Sequence, residues 1–527
     1  MKRNSMVALV LTLMLITLTF IGCSPSETPE PSTPADETPK PAQTAENEEE
    51  KPLLDTSKRI ELVVWFAGDP APDAGSVIEE LNKKLLEDFN CTMKINHLGW
   101  ADYETRYSLL LNAKEECDIL YSANWLNARD YNRKGAFLEL DELLVNYAPE
   151  LYEFLDRWEE VTMNGSIYAI PNNNVRHDNT GIVYREDLRK KYNLPIPDSV
   201  ENIEAYFQGI KENEPTMLPT SDKAVFDGTM SSTRFAWNRE QNVIGASFGV
   251  SYTGYDESKL TEITYDWETP EYLEMLKKIK EWADKGYWSR SLLSAQNDPA
   301  VDFDAGLTAA IFNKHMDGWS GHVTTNEVDK DEGWEIGFVP FQNKYGISVL
   351  TSAEQDMTVL PIQCKDPARA IAVVEKIFLD VDYFHLIQYG IKGVHYDVNE
   401  NGEYTVGPKT EQFGPGGLAS WCWRNVDFYL ESTATPAKVE EMRDLMDTLT
   451  PVSPCSFSLD TSNISAEVAS LENTIVQYLE PLKLGQHDDP EKGFEEFMRQ
   501  AKIAGYDKVK EEFEKQWEVF ITESGLK

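Results

Sequence analysis

Tryptophans stand beside planar polar residues at several points that are predicted to be loops or strand ends. The 527-residue chain has thirteen tryptophans, and three such pairings are Asn124-Trp125, Trp237-Asn238 and Trp423-Arg424. An indole ring packs on an apolar ligand face, while amide and guanidinium groups bond to polar groups at its rim. Sugars present both features, so these pairings favour a saccharide-binding site. The alternative for any single tryptophan is packing in the core.

The predicted binding residues come from loops, strand ends and one irregular segment. Trp282 and Trp517 lie instead on apolar helix stripes and are predicted to be core residues. Trp319 follows a predicted buried strand, where its ring is expected to project into a cleft. The candidate ligand-binding residues are Trp65, Asp69, Asn124, Trp125, Arg176, Trp237, Trp319, Trp423 and Arg424.

No familiar catalytic or metal-binding motif accompanies these residues. The seven histidines form no HExxH pair, and the sequence has neither a G-x-S-x-G motif nor a P-loop. Asp397–Gly402 begins like a calcium loop, but Pro408 occupies the position of the bidentate acid. The alternation around Asn401-Gly402 predicts a hairpin with a two-residue turn instead. Paired carboxylates for glycoside hydrolysis remain an alternative, because their separation decides that chemistry.

The composition is that of an acidic globular protein. Hydrophobic residues make up 41% of the chain and the formal net charge is −41, which disfavours nucleic-acid backbones as partners. Five cysteines besides Cys23 match no zinc or redox spacing and are predicted to be small buried residues. A Cys422–Cys455 disulfide is conceivable, but nothing in the sequence argues for it.

The N-terminus has the features of an export signal. Lys2 and Arg3 precede an apolar run, Met6–Phe20, which is short for a membrane span. Ile21-Gly22-Cys23 resembles the lipobox of bacterial lipoproteins, with Phe20 in place of the usual leucine. The resemblance implies a signal peptide over residues 1–22 and a lipid on Cys23. A plain secretory signal with a chance cysteine is the alternative.

Residues 23–58 are predicted to be a disordered tether. Ser24–Lys51 carries six prolines and eight acids but no aromatic residue, so it cannot bury enough apolar surface to fold. The folded part is expected to begin near Arg59.

Strands and helices are predicted to alternate in the first folded segment. The predicted strands are Ile60–Phe66, Thr92–Leu98 and Asp118–Ala123, and the predicted helices are Ser76–Phe89 and Tyr103–Ala113. This order predicts an α/β fold with a mostly parallel sheet flanked by helices. Ligands of such sheets bind beyond the carboxyl ends of the strands, where Asp69, Asn124 and Trp125 occur.

Ser166–Leu188 is predicted to be a crossing between two lobes, with a cleft beside it. A strand at Ile167–Ile170 is followed by an irregular polar segment, Pro171–Thr180, and by a strand at Gly181–Arg185. Pro171 removes a ladder donor and the following asparagines favour turns. An ordinary surface loop is the alternative interpretation.

The β/α alternation then resumes, which predicts a second sheet. Its clearest helix is Thr269–Lys285, and the last quarter of the chain is mainly helical. The other predicted elements are strands at Gly306–Asn313, Trp334–Phe341 and Met357–Pro361, and helices at Asp366–Leu379, Ser465–Glu480, Glu491–Ala504 and Asp507–Phe520.

In sequence, the chain resembles the extracellular solute-binding proteins of family 1, the maltose-binding-protein-like group of carbohydrate ABC importers. The matching stretches, in order, are IELVVWFAGD, GSIYAIPNNN with GIVYREDL, DWETPEYLEMLKKIKEWADKGYW, DFDAGLTAAIFNKHMDGW and GYDKVKEEFEKQWEVF. Together they cover most of residues 59–527.

The resemblance implies a type II binding-protein fold of two α/β lobes that close over a ligand. Lobe 1 would comprise residues 59–172 and 353–395, and lobe 2 residues 173–352 and 396–527. Asn124-Trp125 and Trp319 match positions that contribute to the ligand site, and Trp423 matches more loosely. The resemblance further implies a monomer without cofactor that delivers a carbohydrate to ABC permease subunits at the outer face of the cell membrane. An extracellular lipoprotein glycosidase and a sugar-sensing subunit are the alternatives.

Replacing the predicted lipid-bearing residue tests the anchor. We expect Cys23→Ala to release the protein into the medium or to leave it unprocessed, because its membrane attachment depends on the acyl chains. Cell fractionation and the mass of the mature N-terminus measure this, with Ser24→Ala as the control. If the Cys23→Ala variant fractionates like the parent protein, no lipid is attached at this position.

Overall fold

The computed structural model describes residues 53–99, 103–230, 243–248, 250–253, 263–329, 333–432, 435–452 and 457–523. Residues 1–52, Trp237 and Cys455 lie outside them, and with them the predicted signal peptide, Cys23 and most of the tether. In the described ranges, no helix is both long enough and apolar enough to cross a membrane.

Sixteen strands are described. They are β1 (Ile60–Ala67), β2 (Cys91–Leu98), β3 (Ile119–Ser122), β4 (Thr162–Met163), β5 (Ser166–Ile167), β6 (Gly181–Arg185), β7 (Val243–Ser247), β8 (Val250–Thr253), β9 (Ile263–Tyr265), β10 (Ala310–Lys314), β11 (Ile336–Pro340), β12 (Ile347–Val349), β13 (Met357–Val359), β14 (Tyr396–Val398), β15 (Tyr404–Val406) and β16 (Thr450–Val452).

The α-helices flank these strands and dominate the C-terminal quarter. They are α1 (Ala74–Phe89), α2 (Tyr103–Asn112), α3 (Ala128–Arg133), α4 (Asp141–Tyr147), α5 (Pro149–Phe154), α6 (Glu186–Lys191), α7 (Val200–Asn213), α8 (Pro270–Lys285), α9 (Pro299–Asp304), α10 (Met316–Val323), α11 (Pro367–Leu379), α12 (Val381–Tyr389), α13 (Ala437–Asp447), α14 (Ser465–Thr474), α15 (Glu480–Lys483), α16 (Pro490–Ala504) and α17 (Tyr506–Glu523).

The sheet of the first lobe has the strand order β13-β3-β1-β2. Strand β1 pairs in parallel with β2 and β3, while β13 joins β3 in the antiparallel direction. The nearly continuous apolar run of β1 suits this central position, because both of its faces are covered. The predicted strands and helices of this segment are confirmed to within a few residues.

The sheet of the second lobe is built around the strand that leaves the crossing. Strand β6 lies between β10 and β11, and both pair with it in the antiparallel direction. Parallel pairing with this sheet is limited, among the described residues, to the bridge between Leu218 and Thr308. The α/β architecture is as predicted, but the mostly parallel sheet expected here is wrong, since β6 enters from the crossing against its neighbours.

The C-terminal helices complete the hydrophobic core of the second lobe. The Trp267 ring lies 4.8 Å from that of Phe497 and 4.9 Å from that of Tyr506. Trp282 and Trp517 are buried in the same core, which confirms the prediction from their helix stripes. Aromatic contacts of this kind add to area burial, so α16 and α17 are integral to the second lobe.

Two chain segments cross between the lobes and pair with each other. Ile170 exchanges backbone hydrogen bonds of 2.8 and 2.9 Å with Thr358, and the Thr351 amide donates to the Arg176 carbonyl at 2.9 Å. The Asp178 amide donates to the Val349 carbonyl at 2.7 Å. The irregular crossing predicted at Pro171–Thr180 is therefore present, although the preceding strand β5 ends at Ile167. A third connection follows Trp423 in the first core and leads to α13.

One further contact joins the lobes outside these crossings. The Nη2 of Arg133, at the end of α3, donates to the Ser458 carbonyl at 2.8 Å. Tyr131 in α3 packs against the first core, whereas Leu459 belongs to the second core. The segment that precedes the C-terminal helices therefore touches both lobes.

The predicted boundary at residue 396 does not hold for the segment that ends at Trp423. Phe413, Leu418 and Trp423 are buried in the first core. The Asp73 amide donates to the Gln412 carbonyl at 3.0 Å, which ties the segment to the start of α1. The sequence pattern does not reveal this return, because it is made by loops rather than by regular elements.

The predicted length of the hairpin turn also needs correction. The hairpin of β14 and β15 forms, but the Asn399 amide bonds to the Glu403 carbonyl, so the turn has three residues rather than two. Gly402 has a φ of +87°, the left-handed conformation that closes three-residue hairpin loops. Cys422 is a buried free thiol, and Cys455 lies outside the described residues.

The Asp73 carboxylate is the polar anchor of the returning segment. It accepts hydrogen bonds from the Ser76 hydroxyl and from Nε2 of the buried His395, at 2.5 and 3.1 Å. The Ser76 bond, and then the His395 bond, lower the pKa of Asp73 to about 2. The ionised form of Asp73 is therefore favoured in the folded protein.

We expect Asp73→Asn to lower the melting temperature at pH 7. A depressed carboxyl pKa contributes stability above its ordinary value of 3.8, and this contribution is lost as the pH falls towards about 2. The difference in melting temperature between variant and parent should therefore shrink in calorimetric scans as the pH falls from 3.8 towards about 2. Glu79→Gln, an exposed acid on α1, is the control. A difference that stays constant from pH 7 to pH 2 would contradict this role.

Candidate ligand-binding cleft

Two adjoining cavities lie beside the crossings. Their volumes are about 650 and about 980 Å³, which is in the range of small-molecule sites. Both cavities are lined by Arg176, Asp317, Trp421 and Arg424. Arg176 belongs to the first crossing and Asp317 to the second lobe, while Trp421 belongs to a segment packed on the first lobe. We call this combined space the cleft.

Four aromatic side chains form the first-lobe wall of the cleft. The Trp125 ring lies 5.6 Å from that of Tyr103 and 6.0 Å from that of Tyr121. The Tyr121 ring is in turn 5.9 Å from the Trp421 ring. All four side chains line the smaller cavity. This aromatic wall offers an apolar surface to a ligand with flat faces.

Local backbone geometry places Trp125 at the end of β3. The Trp125 amide donates to Oδ1 of Asn124 at 2.7 Å, and the Asn124 amide donates to the Glu354 carbonyl at 2.7 Å. This short turn follows the carboxyl end of a sheet strand, which is where ligands of open α/β sheets bind. The second crossing therefore holds the turn in place.

Asp356 is the central acceptor of the polar side of the cleft. Its Oδ2 accepts from Arg176 Nη2 at 3.0 Å and from Arg424 Nη1 at 3.3 Å, and its Oδ1 accepts from the Tyr121 hydroxyl at 2.8 Å. Burial, and then the Asp356 charge, raise the pKa of Tyr121 well above its usual value. The phenol therefore stays protonated and can donate this bond.

The second-lobe wall begins with α10. His315, Asp317 and Gly318 line the smaller cavity, and Asp317 Oδ2 accepts from Arg176 Nη1 at 3.0 Å. The Asp317 side chain is 52% exposed, so this ion pair faces the open space between the lobes. Arg176 thus connects a carboxylate of the second lobe with the buried Asp356.

Asp178 belongs to the same crossing, and the charged groups of the cleft affect the pKa of its carboxyl. Burial raises the pKa of its carboxyl, whereas His315 and Arg176 lower it. Asp317 and Asp356 act in the same direction as burial, because like charges disfavour ionisation.

Four of the predicted binding residues line the cleft. They are Asn124, Trp125, Arg176 and Arg424. Asp69 is exposed and is not among the lining residues. Its carboxylate lies beside Gly99 after β2, since a Cβ built on Gly99 would be 2.9 Å from Asp69 Oδ1. Trp237 lies outside the described residues.

Three predicted tryptophans are directed elsewhere. Trp65, within β1, donates its indole N–H to the Glu116 carbonyl at 3.2 Å. Trp319 is buried, donates to the Ile336 carbonyl at 3.0 Å and stacks on Phe338 at 5.6 Å. Trp423 is buried against Phe66. Placing these rings on the cleft wall is therefore wrong, and the alternative of core packing holds for Trp319 and Trp423.

The candidate set omitted several residues that line the cleft. Tyr103 and Trp421 carried a signal, since Tyr103 begins a predicted helix and Trp421 is a tryptophan outside the predicted helices and strands. Tyr121 is inside β3, and Asp356 precedes β13 without any distinguishing pattern. Their roles depend on how the two crossings meet, which no local spacing encodes. Among the described residues, no group of three or more His, Cys, Asp or Glu could hold a metal ion.

The chain matches two family models. A model described as a bacterial extracellular solute-binding protein matches residues 77–375, which is more than half of the chain. A model described as a domain of unknown function (DUF3502) matches residues 455–522. The second match coincides with the helices that complete the second core.

Two characterised sequences are similar over long stretches. A carbohydrate ABC transporter substrate-binding protein of Streptococcus pneumoniae serotype 4 is 22% identical over 478 residues, covering 89% of this chain and 93% of that protein. The polygalacturonan/rhamnogalacturonan-binding protein YtcQ of Bacillus subtilis strain 168 is 23% identical over 351 residues, covering 63% and 66%.

Solved structures share the fold. The N-glycan transport solute-binding protein NgtS of Streptococcus pneumoniae, in complex with Man1GlcNAc, superposes with a TM-score of 0.68 at 19% identity, covering 88% of this chain and 100% of that one. The alginate-binding protein AlgQ2 without calcium gives a TM-score of 0.59 at 15% identity, covering 87% and 98%. The two-lobed α/β fold predicted from the sequence is confirmed.

The positions of Trp319 and Trp421 predict losses of stability of different size for the same substitution. We expect Trp319→Ala to lower the free energy of unfolding by about 3–5 kcal/mol, because it leaves a cavity in the core. Trp421→Ala, which removes a partly exposed ring, should cost far less stability. Denaturant unfolding at 25 °C measures both. Equal stability losses in the two variants would contradict this assignment.

Proposed function

Because the chain belongs to the family of bacterial extracellular solute-binding proteins, we propose that it captures a sugar or oligosaccharide between its lobes and delivers it to an ABC permease. The observation that carries this proposal is the composition of the cleft. Aromatic side chains and ion-paired guanidinium and carboxylate groups line one space between the two lobes. Such a site packs on the C–H faces of a sugar and bonds to its hydroxyl groups.

The similar proteins support this choice of ligand and route. One is named a carbohydrate ABC transporter substrate-binding protein, and NgtS is named for N-glycan transport and was solved with Man1GlcNAc. These relatives are binding proteins rather than enzymes. We infer that this chain also binds and releases its ligand unchanged.

The arrangement of the acids supports binding over hydrolysis. Glycoside hydrolysis needs one carboxyl that donates a proton and a second that acts as base or nucleophile. In the cleft, Asp317 and Asp356 are bonded to the two ends of the same guanidinium, that of Arg176. Their oxygens act as hydrogen-bond acceptors, which suits the recognition of hydroxyl groups.

Capture follows from the geometry of the crossings. The lobes are joined by short paired segments, so they can rotate as units about those segments, as in other hinge-closing proteins. Trp125 and Trp421 would approach one face of the ligand, and Asp317 would approach from the other lobe. Closure would remove water from the polar groups and strengthen their bonds.

Location outside the cytoplasm follows from family membership, which implies an extracellular or periplasmic protein. We further propose attachment through a lipid on Cys23, which would keep the protein beside its permease. The acidic segment at residues 23–58 would then serve as the spacer.

A ligand screen tests the proposed function. We expect an oligosaccharide to raise the melting temperature. At a hundredfold excess over its dissociation constant, binding should add about 2.7 kcal/mol to the free energy of unfolding. The radius of gyration in X-ray scattering should fall on closure. Trp125→Ala or Trp421→Ala should weaken binding by about 1–3 kcal/mol, since each removes ring area from the wall.

The controls separate binding from stability and from turnover. Tyr152→Ala removes a ring that is 40% exposed on the same lobe but outside the cleft, and it should leave the affinity unchanged. Mass spectrometry of the recovered ligand should show the intact saccharide. A cleaved product would refute the binding-protein assignment in favour of a glycosidase.

A further inference from the structure

We propose that the cleft selects uncharged saccharides and rejects those that carry carboxylates. The inference rests on the proposed function and narrows it to one chemical class of ligand. It is drawn from the ion pairs of the cleft lining, because recognition of an anionic sugar needs a cation that is free to pair with it. The similar proteins leave the class open, since their names include both polygalacturonan and an N-glycan.

Among the residues that the structure describes, every arginine that lines the cleft is paired with an acid of the protein. Arg176 bonds to Asp317 and Asp356, each at 3.0 Å. Arg424 bonds to Asp356 at 3.3 Å, and Arg443 bonds to Glu440 at 2.6 Å. No lysine is among the described lining residues of either cavity. An incoming carboxylate would therefore have to compete with a protein carboxylate for its partner.

Displacing Asp356 from an arginine would leave a buried carboxylate with fewer partners. Asp356 is buried, and two guanidinium groups and the Tyr121 hydroxyl satisfy its oxygens. Removing one partner from a buried ion pair is strongly unfavourable, because the remaining charge loses its compensation. Asp317 is the more exposed partner, so the weakest point of this arrangement is its bond to Arg176.

The remaining charges of the lining repel anions. Among the described lining residues, the acids outnumber the three arginines; they are Asp317, Asp356, Glu431, Glu440 and Asp447. A formal charge of −41 for the whole chain adds a long-range field of the same sign. Neutral hydroxyl groups are unaffected by this field, and they can donate hydrogen bonds to the carboxylate oxygens.

Matched pairs of ligands test the proposal. Neutral oligosaccharides of glucose, galactose, mannose and N-acetylglucosamine would each be compared with the same compound oxidised at C6 to the carboxylate. By titration calorimetry, we expect the neutral member of a binding pair to have at least about tenfold higher affinity. Added salt should narrow this ratio, because it screens the repulsion of the charged member.

A cleft variant tests where the selection comes from. Asp317→Asn removes the exposed carboxylate and leaves one end of Arg176 available, so the preference for the neutral member should fall roughly tenfold. Glu441→Gln removes an exposed acid from α13 that does not line the cleft, and it should not change the ratio. Unfolding of each variant is monitored so that the titrations use folded protein.

The outcomes are distinguishable. A C6-carboxylate that binds as tightly as its neutral counterpart would overturn this inference and leave the proposed function intact. An unchanged ratio in Asp317→Asn would show that the cleft charges do not select the ligand. If no member of any pair binds, both the saccharide function and this inference are refuted.

Discussion

The buried Asp356 carboxylate is the interaction on which the cleft depends. It brings together Arg176 from the first crossing, Tyr121 from the first sheet and Arg424 from the third connection. A buried carboxylate is unfavourable unless its oxygens are satisfied, so these segments are held at defined distances. Through Arg176 the same network reaches Asp317 in the second lobe. One buried charge thus sets both the shape and the polarity of the site.

Much of the fold was predictable because it follows from local periodicity. The apolar run of β1 indicated a central strand, and the pattern ending at Gly286 indicated α8 almost to the residue. The direction of pairing in the second sheet was not predictable in this way. It depends on β6 entering from the crossing, and a strand buried between antiparallel neighbours looks like one between parallel neighbours.

The candidate site was only partly predictable for a related reason. Trp421 and Trp423 are two residues apart in the same short turn, yet one lines the cleft and the other is buried against Phe66. Residue type cannot distinguish them, since either ring would suit a sugar or a core. Trp319 follows the same principle: its position at the start of α10 suggested the cleft, but its indole N–H bonds to β11. The direction of a side chain depends on tertiary packing, which spacing does not report.

The contact between Arg133 and Ser458 links the C-terminal helices to the free energy of lobe closure. Those helices are packed into the second core, whereas α3 packs on the first lobe. A rotation of the lobes that separates α3 from Ser458 breaks this bond, which is worth about 0.5–1.5 kcal/mol. Such an energy changes the ratio of two conformers by roughly twofold to tenfold, and the apparent affinity of any ligand that prefers one conformer changes with it. Helices whose described residues do not line the cleft would therefore contribute to how tightly a ligand is held.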